Sequence, residues 1–363
     1  MRYEVEVISP LHIGNGRELS SIEYLVDKKF YRINMDSLFR EKEFDIDGFV
    51  EDIKLGLFKI ENYKELAKKN KEYVIDISNS AEKNIKGRNV KEFIKSGGRL
   101  YIPGSSIKGA IRTAVMWHVL KNNAELYGEM EEYFEEIIRG KIKKKKEEVD
   151  DEIEKNVFGK DPKYDLFKAI QISDGNILPI DRLRIDEVKI LSTTSSSYYW
   201  KNFSIFIEAL KIGTKFETDI KIDEFFTKED VSKELGFDDK IVYLKNIEEI
   251  CKDYSKELID YELNFLKRYN VGGELNEVIN FYEELKKKDG VLLRLSWGAG
   301  WQSMTVGGLI NEEMLEELRR IYKMGKRRDY PEYVKPFPKT RRIIFEDNKP
   351  KYPLGWIRLE GRK

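Results

Sequence analysis

The sequence predicts an α+β fold made of two units of similar size. Strands and helices alternate along both halves of the 363 residues, each half holds a glycine-rich turn beside a strand, and several strands form predicted hairpins. Hairpins pair their strands antiparallel, which argues against a doubly wound parallel sheet. We place the two units at residues 1–165 and 166–363. A densely charged run at 139–155, expected to be a solvated helix or loop, lies near their boundary.

The N-terminal half opens on a predicted strand. Residues 1–9 alternate apolar and polar side chains, as in a strand with one buried face. Residues 20–26 and 29–34 form a predicted hairpin, and helical patterns follow to about residue 70. A short strand at 100–102 then leads into a helix with a single apolar stripe.

The C-terminal half contains further predicted strands and one long helix. Apolar side chains recur at helical spacing over residues 246–268, which places Cys251 in the predicted core. A helix capped by Asn311 is expected to end near Lys323, and the proline-containing tail is expected to lie extended along a surface. The predicted strands of this half are residues 169–175, 187–191, 203–209, 214–221 and 292–296.

Composition excludes several classes of function. The chain has 66 basic and 66 acidic residues, so a nucleic-acid site has to arise from local segregation of charge. With one cysteine and two histidines, it has no internal disulfide and no Cys/His zinc site. Nucleotide-binding fingerprints are absent, and we expect neither a metal nor a cofactor. No signal peptide and no long apolar run occur, so we expect a cytoplasmic protein without membrane contact.

The run Tyr101–Thr113 is a candidate phosphate site. It joins a strand end, a glycine turn, two hydroxyls and a helix start, where unpaired backbone N–H groups favour an anion. Either of the serines at 105 and 106 is expected to cap the helix, and two cations follow four residues apart on one face. An ordinary capped helix with solvated cations is the alternative. The candidate contacts here are Ser105, Ser106, Lys108 and Arg112.

Two other glycine turns are candidate anion sites. One follows the first strand, and the other follows the strand at 292–296 and carries a tryptophan on each side. Glycines let backbone N–H groups approach a phosphate, and stacking of a base on an aromatic ring contributes about 1–3 kcal/mol. Burial of one or both tryptophans in the core is the alternative. The candidate residues are Gly14, Gly16, Arg17, Trp297, Gly298, Gly300 and Trp301.

The C-terminal tail adds a cluster of basic residues. Lys326-Arg327-Arg328 comes first, and Lys339, Arg341 and Arg342 follow between prolines. These cations are candidates to pair with phosphates or with the acidic residues of another protein.

His12 is the one plausible general base in the sequence. Metal-independent RNA cleavage requires a base that activates a 2′-hydroxyl and a cation for the phosphate, roles that His12 and Lys108 are able to supply. An endoribonuclease is therefore kept as an alternative to a binding protein.

Taken together, the motifs resemble those of the RAMP superfamily of CRISPR proteins, and the chain ending resembles the fifth Csm subunits of type III-A effector complexes. The resemblance covers nearly the whole chain. The motifs that carry it are Ile8–Gly16, Ile102–Thr113, Ile172–Asp174, Trp297–Trp301, Pro338–Arg341 and Pro353–Trp356.

The resemblance implies tandem ferredoxin-like (RRM-type) domains with helical insertions. It also implies a non-catalytic subunit of a Csm complex that binds the guide RNA (crRNA), caps its 3′ end and supports crRNA maturation in antiviral defence. Its implied neighbours are other Csm subunits, especially the repeated backbone subunit, and nucleases that trim the guide. By the same resemblance the glycine turns and the 101–113 junction line the guide-binding surface. A protein-only scaffold whose basic tail binds an acidic partner remains the third hypothesis.

Overall fold

The computed structural model describes residues 1–237, 239–325 and 336–362, so the basic run Lys326–Arg328 lies outside the described residues. Helices and strands alternate along this part of the chain, which confirms the predicted α+β class. The strands are β1 (Arg2–Val7), β2 (Gly14–Leu19), β3 (Tyr24–Val26), β4 (Phe30–Ile33), β5 (Lys71–Ile77), β6 (Val90–Phe93), β7 (Lys95–Ser96), β8 (Arg99–Leu100), β9 (Ile170–Ile172), β10 (Leu183–Thr193), β11 (Tyr198–Trp200), β12 (Ile205–Leu210), β13 (Lys215–Ile222), β14 (Val291–Arg294), β15 (Thr340–Glu346), β16 (Lys349–Pro353) and β17 (Trp356–Arg362).

The helices include the predicted long helix, which runs from Ile247 to Tyr269 and buries Cys251 completely, as expected. The α-helices are α1 (Met35–Leu38), α2 (Ile46–Leu55), α3 (Lys64–Lys69), α4 (Asn79–Asn84), α5 (Gly104–Asn122), α6 (Ala124–Ile138), α7 (Asp151–Phe158), α8 (Glu229–Leu235), α9 (Ile241–Lys245), α10 (Ile247–Tyr269), α11 (Asn276–Lys286), α12 (Trp301–Met304) and α13 (Glu312–Ile321). Short 3-10 helices span Ile60–Tyr63, Lys146–Glu148, Leu166–Ala169, Ile180–Arg182, Glu224–Thr227 and Gly307–Leu309.

One sheet has five antiparallel strands in the order β14-β17-β1-β13-β9. Its central strand β1 alternates buried and partly exposed side chains, as the sequence predicts, and Val5 lies between Phe216 and Leu359. Helices α5 and α10 pack against each other and against strands of this sheet. The apolar stripes of the two helices thereby form the main core.

The second sheet has ten strands, and seven of them follow the order β2-β6-β12-β10-β5-β4-β3. The long strand β10 also pairs with β11 and β15, and β15 pairs with β16. Both sheets take strands from either side of the predicted boundary between residues 165 and 166. The division into 1–165 and 166–363 stays a prediction.

Residues 336–362 of the C-terminal tail correct one expectation, because they contribute strands to both sheets and do not lie extended along a surface. Strand β15 pairs with β10, and β17 lies between β14 and β1. The physical reason is apolar burial: Ile344, Trp356 and Ile357 are fully buried in these strands. The tail therefore joins the two sheets.

In residues 1–237, 239–325 and 336–362 no helix has the length and apolarity needed to cross a membrane. Within the same ranges no group of three or more His, Cys, Asp or Glu side chains is arranged to hold a metal ion.

Candidate nucleic-acid interface

Three segments that are distant in the sequence meet at one open groove, called here the glycine groove. They are the turn after β1, the loop after β14 and strand β15, and the groove encloses about 540 Å³. His12 and Lys91 line it as well. The predicted site residues that it brings together are Gly14, Gly16, Arg17, Trp297, Gly298, Gly300, Trp301 and Arg342.

The first wall of the groove is the turn that leads into β2. The register between β2 and β6 shifts between Gly14 and Glu18, and Gly16 sits in this bulge with a positive φ of 87°. Arg17 is more than half exposed, and its Nη2 lies 2.6 Å from the Glu23 carboxylate. The bulge thus exposes backbone at the groove. The Glu23 carboxylate partly neutralises the charge of Arg17.

The second wall is the glycine loop after β14. Gly298 and Gly300 both have positive φ, at 92° and 88°, a conformation that favours glycine. Within the part of the chain that the structure describes, the N–H groups of these two glycines donate to no protein acceptor. The loop therefore holds unpaired backbone donors of the kind that bind phosphate oxygens, with Gly300 partly exposed and Gly298 buried.

Trp297 lies at the centre of the groove between two cations. The guanidinium carbon of Arg342 is 4.8 Å from the centroid of the Trp297 ring, and the Lys91 Nζ is 5.9 Å from it. Trp297 is half-buried against a small apolar cluster that includes Leu354, so one part of the ring packs and another remains accessible. The two interpretations of Trp297 from the sequence, a core residue and an exposed aromatic residue, therefore each apply to one part of its side chain.

Arg342 differs from the other cations of the groove because it is not neutralised. Lys91 is paired with Glu18, whereas the guanidinium of Arg342 contacts no carboxylate in residues 1–237, 239–325 and 336–362. Its Nε is buried without a hydrogen-bond partner, and burial lowers the pKa of the group. An unpaired, partly desolvated guanidinium is well suited to binding a phosphate or carboxylate from outside the chain.

His12 is buried at the base of the groove and is held in one tautomer. Its Nδ1 lies 2.7 Å from the carbonyl oxygen of Glu208, and because a carbonyl only accepts, Nδ1 carries the proton. Burial lowers the pKa of His12 to about 4. At neutral pH the ring is therefore uncharged, and its Nε2 is a hydrogen-bond acceptor.

This depressed pKa predicts a pH dependence of stability. The unfolded chain protonates His12 near pH 6.5 and the folded chain only near pH 4, so folding free energy is lost as the pH falls through this window. Between pH 7 and pH 4.5 the expected loss from this group is about 2–3 kcal/mol. The His12→Asn variant, whose amide is able to keep the donor to Glu208, is expected to lack that component. Urea unfolding of both proteins at the two pH values measures the difference, and equal pH dependence would contradict the prediction.

No residue of the junction at 101–113 lines the glycine groove, and its predicted serine cap is wrong. Helix α5 begins at Gly104 with Pro103 as N-cap, and no side chain caps it from that position. Instead the Gly104 N–H donates to the Asp174 carboxylate at 2.8 Å. An added Cβ at Gly104 would lie 2.4 Å from the carbonyl oxygen of Ile172, so close packing brings Asp174 to the helix start and leaves Ser105 exposed, with Ser106 only partly covered.

The two cations of the junction have partners inside the protein. Lys108 Nζ donates to the carbonyl oxygen of Ile170 at 2.8 Å, and burial lowers the pKa of the lysine. Arg112 donates to Asp165 at 3.0 Å and to Glu154 at 2.8 Å, and its guanidinium stacks on the Phe158 ring. These contacts tie α5 to its neighbours. That the four junction residues bind RNA stays a prediction.

The basic residues of the tail also separate from one another. Arg341 is buried, its Nε lies 2.6 Å from the Glu262 carboxylate, and its guanidinium stacks on Phe265. The carbonyl oxygen of Lys339 accepts the Thr193 N–H, which anchors the start of β15. Of Lys339, Arg341 and Arg342, Arg342 is the one that lines the glycine groove, and RNA binding by all three stays a prediction.

Sequence reasoning missed Lys91, which adds a second cation beside Trp297. Lys91 belongs to β6, a strand that the sequence analysis did not identify. No glycine, proline or motif accompanies it, and only the pairing of β6 with β2 brings it to the groove. Its single local signal is its place in the short run Val90–Phe93, whose first and last side chains are buried.

The chain belongs to the RAMP superfamily, whose family model matches residues 4–276. A Csm5 protein of Methanocaldococcus jannaschii is 30% identical to it, over 99% of this chain and 88% of that protein. Within the superfamily the chain therefore belongs to the Csm5 family. Both steps confirm the resemblance expected from the motifs.

Other relatives agree with this membership. A Csm5 protein of Streptococcus thermophilus is 26% identical over 59% of this chain and 61% of that protein. A chain in the cryo-EM structure of a type III-A Csm–crRNA–target RNA ternary complex superposes with a TM-score of 0.78 and 25% identity, covering 99% of this chain and 100% of that one. The crystal structure of Csm5 from T. onnurineus has a TM-score of 0.70 and 23% identity, with 98% and 99% of the two chains covered.

Proposed function

We propose that the protein is a crRNA-binding subunit of a type III-A Csm complex, in which it caps the 3′ end of the guide and supports crRNA maturation in antiviral defence. Membership of the Csm5 family and the similarity to a chain of a Csm–crRNA–target RNA complex support this assignment. The observation that carries it is the glycine groove, where an unpaired guanidinium, an accessible tryptophan and unpaired amides meet.

The chemistry of the groove suits a ribose–phosphate strand of any sequence. Arg342 and the loop amides are donors for phosphate oxygens, and a base stacks on the accessible part of the Trp297 ring, beside the Arg342 guanidinium. Such contacts fix the position of a strand without reading its bases. A subunit that binds the end of a guide RNA has to accept any sequence there, because guide sequences vary.

Affinity for RNA alone is expected to be modest and to fall with salt, because the chain has equal numbers of basic and acidic residues. In the complex, the protein contacts both the RNA and a neighbouring Csm subunit, foremost the repeated backbone subunit. The second contact raises the effective concentration of the RNA and thereby strengthens its binding. Docking of nucleases that trim the guide belongs to the same proposal.

The proposed subunit is non-catalytic. A histidine whose pKa is about 4 is a weak general base at neutral pH, and His12 lies beneath the groove surface. The endoribonuclease alternative predicts that the protein, incubated with repeat RNA in EDTA, yields 2′,3′-cyclic phosphate ends. It also predicts that the His12→Asn variant yields none. We expect no such product from either protein.

The five-stranded sheet supports a ferredoxin-like unit within the proposed tandem. Its strands β17-β1-β13-β9 are antiparallel neighbours, with α5 between β1 and β9 and α10 between β13 and β17 in the chain. This matches the β-α-β-β-α-β order of a ferredoxin-like fold, to which β14 is added at the edge. The second unit of the tandem belongs to the ten-stranded sheet.

Pull-down of the tagged full-length chain tests the assignment. The wild type is expected to retain other Csm proteins and small guide RNA, and Arg342→Gln is expected to reduce guide RNA per mole of protein several-fold. Arg139→Gln, at an exposed arginine that follows α6 and lies outside the glycine groove, is the matched control and is expected to behave like the wild type. Absence of guide RNA from the wild type, or equal guide RNA in all three proteins, would refute the proposal. The Lys108→Ala, Arg112→Ala double variant shows in the same assay whether the junction contributes.

A further inference from the structure

The Nε2 atom of His12 is a polar group without a protein partner. The imidazole is 1% exposed, its Nδ1–H is used by the Glu208 carbonyl, and no described residue donates to Nε2. Its neighbours at the groove, the rings of Phe93 and Trp297, meet it edge-on at centroid distances of 6.1 and 5.7 Å. His12 lines the groove, so its Nε2 is an acceptor that a donor of a bound molecule can meet there.

Gly14 is the groove residue beside this atom. A Cβ built at Gly14 would lie 3.0 Å from His12 Nε2, and both residues line the groove. The missing side chain therefore leaves Nε2 free of a covering Cβ on this side. Gly14 and His12 together place a single side-chain acceptor at the groove.

We propose that His12 Nε2 accepts a hydrogen bond from a ribose 2′-hydroxyl of the strand in the glycine groove, and that this contact selects RNA over DNA. The inference rests on the proposed function and adds a residue that determines specificity. A phosphate does not fit this position, because its oxygens and Nε2 are both acceptors. The 2′-hydroxyl is the donor that every nucleotide of RNA has and that DNA lacks.

Binding of chemically modified strands by the full-length chain tests the contact. The probes are 12-nucleotide oligouridines with 2′-hydroxyl, 2′-fluoro or 2′-amino sugars, at low salt. The fluoro group keeps an electronegative atom at the 2′ position but donates no hydrogen bond, whereas the amino group still donates. For the wild type, 2′-fluoro RNA is expected to bind about 2- to 12-fold more weakly than RNA, the effect of one net hydrogen bond, and 2′-amino RNA is expected to recover affinity.

The matched variant is His12→Asn, whose amide nitrogen is able to replace Nδ1–H toward Glu208 but which has no atom at the Nε2 position. It is expected to bind the hydroxyl and fluoro strands equally. Equal binding of both strands by the wild type, or an unchanged preference in the variant, would overturn this inference while leaving the proposed function intact. Failure of the wild type to bind any of the strands would overturn the proposed function and the inference with it.

Discussion

Replacing Glu262 by glutamine is expected to lower the free energy of unfolding by about 3–5 kcal/mol, the cost of leaving buried charges without their counter-ion. Glu262 is 3% exposed, and its two oxygens face two arginines: Arg341 at 2.6 Å and Arg294 at 3.5 Å. Both arginines are themselves buried, and each has a guanidinium nitrogen without a hydrogen-bond partner. The carboxylate is therefore the counter-ion that both share.

We expect the loss of this charge cluster to destabilise the whole fold because of where the cluster lies. Arg294 ends β14 of the five-stranded sheet, Arg341 belongs to β15 of the ten-stranded sheet, and Glu262 lies on α10. Loss of the carboxylate thus weakens the connection between the two sheets and the main helix. Urea unfolding followed by circular dichroism measures the change.

The control is Glu284→Gln. Glu284 lies on α11 and forms an exposed ion pair with Lys287, the residue after the helix, so its loss is expected to leave the unfolding midpoint unchanged. A midpoint for Glu262→Gln equal to that of this control would show that the buried arginines do not depend on Glu262. If the glutamine variant is insoluble, thermal melting of Glu262→Asp, which keeps the charge on a shorter side chain, replaces it. The melting temperature of this variant is expected to lie below those of the wild type and of the control.

Truncating Trp297 to alanine is expected to weaken binding of single-stranded RNA by about 5- to 150-fold, because base stacking on an aromatic ring contributes about 1–3 kcal/mol. Arg342→Gln is expected to weaken binding as well, and to reduce the slope of log affinity against log salt by about 0.7, the value for one phosphate contact on a single strand. Fluorescence anisotropy of a labelled oligonucleotide across a salt series measures both effects.

Two further variants separate binding from folding. Trp297→Phe keeps an aromatic face and the packing against Leu354, and is expected to retain most of the affinity. Trp200→Ala removes a tryptophan that contacts Phe345 and lies outside the glycine groove, and is expected to bind RNA like the wild type. If Trp297→Ala and Arg342→Gln both keep wild-type affinity and salt dependence, the glycine groove is not the RNA site.

Much of the candidate site could be predicted from sequence because its main parts are short and local. Gly16, Gly298 and Gly300 occur where the chain needs a positive φ, and a glycine next to a strand end already indicates such a turn. The helix at 247–269 was predictable for the same reason, since one apolar stripe at helical spacing defines it. The cations were harder to judge: Arg341 and Arg342 are neighbours in sequence, yet one is neutralised by Glu262 and the other faces the groove.

By itself, the sequence determined the α+β class, the long helix, the glycine turns and the membership of the RAMP superfamily, because these depend on residues close together in the chain. Only the tertiary structure decided that β17 lies between β14 and β1, that β6 brings Lys91 to Trp297, and which carboxylates neutralise Arg112 and Arg341. Strand pairing and ion pairing are contacts in space between distant segments. The local sequence shows where a charged residue occurs, and the packed fold decides whether that residue is free to bind a ligand.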